Sequence, residues 1–263
     1  MKITRRLAKL DHTIQVMTST TASSIRFWSG TQVHSTQVSP ARCLELYDSE
    51  SDPECRLVRE ALTELDLDAL IYPCPMHGQR FRPRALEISG RPCLPVLVEP
   101  DTGNWISGSS RILEYLFSNY AQCSVPLHLR PGLLQKLSSR LSTRVRHNHG
   151  RSARPSAAPE RPLTLFSFES SPFSRLVREV LCELELPYKL KNLGKTRRTD
   201  YLLPGIRRLL NQGEEFAMLG RNRNLLKSKA GKVQVPYLLD PNTRSAMFES
   251  AQIIAYLEST YAL

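Results

Sequence analysis

Two stretches decide how this chain folds: "DPECRLVREALTEL" at residues 52–65 and "SPFSRLVREVLCEL" at residues 171–184. They lie at an offset of 119 residues and share the pentapeptide RLVRE without a change. Each opens on a residue whose side-chain oxygen can cap a helix, followed by Pro, which suits the first helical position. Val58, Leu62 and Leu65 then recur at i, i+4 and i+7, and so do Val177, Leu181 and Leu184. Both stretches are therefore predicted to be helices with one apolar face.

The likeness extends outward in both directions. "LPVLV" (94–98) corresponds to "VPYLL" (235–239), and "GSSRILEYL" (108–116) to "ESAQIIAYL" (249–257), both at an offset of 141. Three pairs in one order predict two copies of a single domain. The change of offset places an insertion of 22 residues in the second copy, around 195–229. Short β-rich runs flank each helix: "CLELY" and "DALIYP" in the first copy, "PLTLFSF" and "PYKLKNL" in the second. "LPVLVEPDTGNWIS" and "VPYLLDPNTRSAMF" read as hairpins around Pro-Asp-Thr and Pro-Asn-Thr turns. Each copy thus reads β-α-β-β-β-α, an α/β domain with helices packed on a mixed four-stranded sheet. The expected division is a basic arm at 1–42, domain one at 43–120, a linker at 121–161 and domain two at 162–263. Two further expectations are an added strand at "SIRFWSGTQV" (24–33) and a short amphipathic helix at "GLLQKLSSRL" (132–141).

The chain's 263 residues are 41% hydrophobic and 23% charged, ordinary for a soluble globular protein. No apolar run is long enough to span a membrane. Six cysteines form neither a C-x-x-C pair nor a zinc spacing, which fits a reducing compartment. The net charge of +11 is uneven. Residues 1–43 carry six Lys/Arg and one acid, residues 121–162 eight and one, so the rest of the chain is close to neutral. The first expectation for these segments is a solvated, flexible arm and a mobile linker. The alternative is contact with a protein or anionic partner, with nucleic acid disfavoured for want of an RNA-reading aromatic motif.

The element order, the capped helix start, the "VP" before strand three and the "ES" opening the last helix resemble the glutathione-binding thioredoxin-fold domain. That domain occurs in glutaredoxins and in the N-terminal half of glutathione transferases. Over most of residues 24–263, including "YPCP", "DPNT" and the terminal "YAL", the chain is similar to a family with two such domains in tandem, found in bacteria and plant plastids. The resemblance implies an α/β protein of two thioredoxin-like domains with glutathione as bound substrate or ligand. The cysteine usage points to a cytoplasmic location, with a plastid as the alternative if the Ser/Thr-rich, basic arm is a targeting segment.

The departures from that family shape the chemistry. It commonly carries C-P-F-C or a variant at both helix starts, whereas this chain has Asp52 and Ser171 in the attacking position. Neither can open a disulfide, and Cys55, at the second position, reads as a buried structural thiol. Dithiol exchange is the least expected function on these grounds, and no metal site is expected. In serine-type transferases a hydroxyl placed as Ser171 is donates to the thiol of glutathione and favours the thiolate. Phe173, Val235, Pro236, Glu249 and Ser250 match the remainder of such a site: Val235 before a cis-proline, and a Glu-Ser pair at a helix start for the γ-glutamyl end. In copy one the matching residues are Asp52, Cys55, Leu94, Pro95 and Ser109, with Gly108 in place of Glu, so this site is expected to be degenerate. Plain helix capping is the rival account of Asp52 and Ser171. Cys74, His77 and Arg82 lie close in sequence but make only a weak case for a Cys–His site.

Overall fold

A computed structural model describes residues 2–33, 38–130, 132–146, 149–195 and 220–263; the side chains of 2–9 and 133–136 lie outside this description. In chain order the elements are α1 (Lys2–Ile25), β1 (Leu44–Asp48), α2 (Pro53–Glu64), β2 (Ala69–Pro73), α3 (Arg82–Ser89), β3 (Val96–Glu99), β4 (Asn104–Ser107) and α4 (Ser109–Leu116). There follow α5 (Leu133–Val145), β5 (Leu163–Ser167), α6 (Pro172–Glu183), β6 (Tyr188–Asn192), α7 (Arg221–Ala230), β7 (Tyr237–Asp240), β8 (Ser245–Phe248) and α8 (Ser250–Tyr261). All eight expected strands and the four repeated helices form where the apolar spacing placed them. A π-turn at Phe117–Ala121 extends α4.

Each half is a mixed four-stranded sheet. β1 runs parallel to β2 and antiparallel to β3, which pairs with β4; β5, β6, β7 and β8 repeat that pattern. The two sheets are not separate. β2 and β6 pair antiparallel, with Ala69 opposite Leu190 and Ile71 opposite Tyr188, giving one eight-stranded sheet in the order β4-β3-β1-β2-β6-β5-β7-β8. The join leaves only the short strands β4 and β8 at the edges, which limits unwanted strand pairing. The apolar faces of α2, α4, α6 and α8 meet in one core, where Val58, Leu62, Leu65, Val177, Leu181 and Leu184 are completely buried.

Three expectations are corrected. Residues 24–33 form no strand: α1 ends at Ile25, a turn follows, and Gln32 makes a single bridge with Lys195. Each half also contains a helix that weak periodicity concealed, α3 and α7. α7 falls inside the expected insertion, whose residues 196–219 lie outside the described residues. The arm and the linker are built into the fold rather than solvated along their length. α1 and α5 pack on each other and cover the starts of α6 and α2. Ser19 Oγ donates to Pro172 O (2.9 Å) and Ser139 Oγ to Pro53 O (2.9 Å), while Ser142 Oγ donates to Ala22 O (2.9 Å). Beyond α5, Arg154 binds Glu183 (3.0 Å) and Glu258 (2.6 Å), which pins the segment expected to be mobile.

Two glycines after these covering helices show how close the approach is. Gly30 (φ +72°) and Gly150 (φ +74°) hold left-handed backbone. A Cβ on Gly30 would lie 2.9 Å from Glu169 Cβ, and one on Gly150 would lie 3.1 Å from Glu50 Cβ. Only glycine meets both demands.

The identical pentapeptides have a common cause in the interior. Arg56, Arg59 and Glu60 of one RLVRE and Arg175, Arg178 and Glu179 of the other are all buried. Arg59 binds Asp48 of its own half (2.7 and 2.8 Å) and reaches Glu169 of the other (3.0 Å). Arg178 binds Ser167 of its own half (3.1 Å) and reaches Glu50 of the other (3.1 Å twice). Outside this centre, Glu60 takes Arg26, the residue after α1, and Glu179 takes Arg146, the residue after α5. The pentapeptide thus fastens the halves to each other and to their covering helices.

Candidate functional site

The sheet register gathers the sequence-predicted residues at one end of each half. Phe166 lies opposite Tyr237, and Tyr237 opposite Phe248. The chain entering β7 (Val235–Pro236), the chain leaving β8 (Glu249–Ser250) and the loop from β5 to Ser171 therefore share one end of the sheet. In the first half, Tyr47, Val96 and Ser107 bring Asp52, Leu94–Pro95 and Gly108–Ser109 together in the same way. Both the Leu94–Pro95 and Val235–Pro236 peptides are cis.

The helix starts are capped as the sequence suggested. Asp52 accepts from the amides of Glu54 (2.8 Å) and Cys55 (3.0 Å). Ser171 Oγ accepts from Ser174 N (3.3 Å). Cys55 is completely buried, and its sulfur accepts from Ser49 N (3.4 Å). Burial, with the negative charges of Asp52 and Asp48 behind it, pushes this thiol well above its usual range, so it is no nucleophile.

The first-half site is closed by its own chain. Ser109 donates its hydroxyl to the Glu54 carboxylate, which occupies the start of α4. Cys74 is buried and Arg82 donates to the carbonyls of Cys74 and Pro75, so the Cys74, His77 and Arg82 segment is a loop tied by its backbone. Among the described residues, no group of three His, Cys, Asp or Glu is placed to hold a metal ion.

The second-half site keeps more of its parts. Among the described residues, neither the amide nor the carbonyl of Val235 has a hydrogen-bond partner. Glu249, exposed, holds φ at +67° where Gly108 of the other half sits at +88°. A side chain in that backbone region is strained by about 1–3 kcal/mol, and such strain concentrates at ligand sites. Glu249 Oε1 accepts from Gln234 Nε2 (2.6 Å), across the chain entering Val235. Ser250 opens α8, and its Oγ lies 3.3 Å from His12 Nε2 of α1. His12 also lines a cavity of about 590 Å³, floored by Leu176, Val180, Ala251 and Ile254. Phe173 is about half exposed (47%).

Ser171 is the exception, being only 2% exposed. α1 lies over it: Ser19 holds Pro172 O, and Ser23 Oγ donates to Ser170 O (2.8 Å). Sequence reasoning missed both His12 and this cover, since nothing in residues 1–33 marks them as neighbours of residues 147 to 238 positions away.

Two four-stranded halves with the β-α-β core, the hairpin and the closing helix define a thioredoxin-like α/β protein. The chain belongs to the family of glutathione S-transferase N-terminal domains, whose model matches residues 46–124 and 165–263. That membership points to a glutathione-related function. No curated protein and no solved structure matches the chain.

Proposed function

We propose that this chain is a tandem of two such domains and that the second binds glutathione as a ligand. The observation that carries the reading is the pairing of a main chain at Val235 that has no partner among the described residues with a strained Glu249 next to Ser250 at the start of α8. An extended γ-glutamyl peptide would pair with the Val235 backbone, as a strand adds to an edge. Its α-amino group would meet the Glu249 carboxylate, and its α-carboxylate the Ser250 hydroxyl and the first amides of α8. Ser171 is the group proposed to face the ligand's thiol. While α1 covers it, its hydroxyl is held from the ligand, and it would sense the thiol or stabilise a thiolate only once α1 moves aside. The first domain, with Glu54 on Ser109 and glycine at 108, serves as structural partner.

The competing reading is a scaffold with no ligand, favoured by the cover over Ser171. Calorimetric titration of the whole chain with glutathione separates the two: saturable heat supports binding, and its absence supports the scaffold.

A further inference from the structure

The two RLVRE helices leave an unbalanced charge at the centre of the molecule. Arg56, Arg59, Arg175 and Arg178 are each at most 2% exposed. Three carboxylates face them, Asp48, Glu50 and Glu169. The neighbouring Arg26–Glu60 and Arg146–Glu179 pairs are neutral in themselves. One guanidinium therefore has no carboxylate to balance it.

The hydrogen bonds show where the imbalance lies. Arg59 and Arg178 are held on several sides by carboxylates and carbonyls. Among the described residues Arg56 makes no hydrogen bond: its Nε and Nη1 are buried without a partner, and Glu169 Oε1 is 3.8 Å from Nε. At the corresponding position Arg175 donates through Nη1 to Ser19 O (3.0 Å), but its Nε is buried without a partner, as is Ser174 Oγ on the same turn. After burial itself, the charge of Arg56 is the largest influence on Arg175, and together they lower its pKa to about 9. Such buried donors are rarely left unpaired in a native protein.

We infer that a small monoanion of about chloride's size binds between Arg56 and Arg175, under α1 and α5, as counter-charge to the paired RLVRE helices. A water molecule would satisfy N–H groups but leave the extra charge buried and uncompensated, which is far more costly than an unmet hydrogen bond. Arg56, Arg175, Ser174 and Glu169 are each at most 3% exposed, which favours a small anion over a larger one. Glu169 Oε1, 3.8 Å from Arg56 Nε, would repel an anion there, so the unpartnered Nη1 of Arg56 is the assigned contact.

The test uses the whole chain, heated at fixed ionic strength while sodium chloride replaces sodium gluconate, whose anion is too large to enter. The melting temperature should rise saturably, by on the order of 5 °C, and bromide should substitute for chloride. The rise should vanish in Arg56→Met and in Arg175→Met. Equal melting in the two salts, or a rise that both variants retain, would overturn the site. Crystals of the unaltered chain grown in bromide give an answer that does not depend on the variants folding. An anomalous peak within hydrogen-bond reach of Arg56 Nη1 and Arg175 Nε supports the inference; an ordered water there, or no peak, contradicts it.

Discussion

Arg178 of the second half closes on both carboxylate oxygens of Glu50 in the first, at 3.1 Å each, with both side chains almost wholly buried. Arg59 makes the reciprocal reach to Glu169. These contacts, with the β2–β6 join, make the halves one folding unit. Glu50→Gln leaves Arg178 and Arg59 short of a buried counter-charge and should destabilise the protein by about 3–5 kcal/mol. Denaturant unfolding should still show one transition, at a lower midpoint. Two separated transitions in the unaltered chain would contradict the single-unit account.

The same cluster predicts a dependence on pH. Burial pushes the Asp48 carboxyl up to about 6, beyond what its contact with Arg59 offsets. A carboxyl raised in the folded state stabilises the fold below its unfolded value and loses that contribution as pH rises through 6. Glu169 behaves in the opposite sense: burial raises it, but Arg178, Arg59, Arg175 and Arg56 outweigh burial and hold it at about 2. Its contribution is present above the unfolded value and is lost as pH falls toward 2. The stability of the unaltered chain relative to Asp48→Asn should therefore fall as pH rises from 4 to 6. Chemical denaturation across that window reads it, and a flat difference would refute the assignment.

Thiol chemistry follows burial. Cys55, Cys74 and Cys182 are buried, and burial is the main cause pushing all three thiols up, whereas Cys123 is exposed. A disulfide reagent such as DTNB should modify Cys123 rapidly in the native protein and reach Cys55 and Cys182 only on unfolding. Fast native labelling of Cys55 would reopen a redox role at the first helix start.

The cover over Ser171 predicts a conditional effect. In the unaltered chain, Ser171→Ala should change glutathione affinity by less than about threefold, because α1 keeps the hydroxyl from the ligand. Loosening the cover with Ser19→Ala and Ser23→Ala should let bound glutathione ionise, seen as thiolate absorbance near 240 nm. In that background Ser171→Ala should abolish the signal. Thiolate that persists without Ser171 would remove the hydroxyl from the proposed mechanism.

Much of this was legible from spacing. The repeated helices and both hairpins follow from apolar periodicity and turn chemistry in "RLVRE", "EPDT" and "DPNT", while the residues at the sheet end are implied by the resemblance to the glutathione-binding domain. Other features had no local signal. The β2–β6 join depends on two strands meeting 119 residues apart, and nothing in "ALIYP" or "YKLKN" marks an edge that will be paired. α3 is eight residues long with Pro83 in its first turn, too short for periodicity to show. The arm and linker misled because their relationship is sparse. Ser19 and Ser139, Arg26 and Arg146, and Gly30 and Gly150 correspond at an offset of 120, yet few residues between them agree. Their positive charge suggested solvent, but Arg26, Arg146 and Arg154 are held in ion pairs to Glu60, Glu179, Glu183 and Glu258. For the site, the sequence indicated Glu249 and Ser250, while the φ of Glu249 and the position of His12 are visible only in three dimensions.

The central claim is that the second half holds a γ-glutamyl peptide at Val235, Glu249 and Ser250. Isothermal titration of the whole chain with glutathione, set against Glu249→Ala, tests it most directly. We predict saturable binding that weakens at least about tenfold in the variant, the loss expected for one charged hydrogen bond, with the melting temperature of the unliganded protein little changed. No binding by the unaltered chain, or equal binding by both proteins, would contradict it.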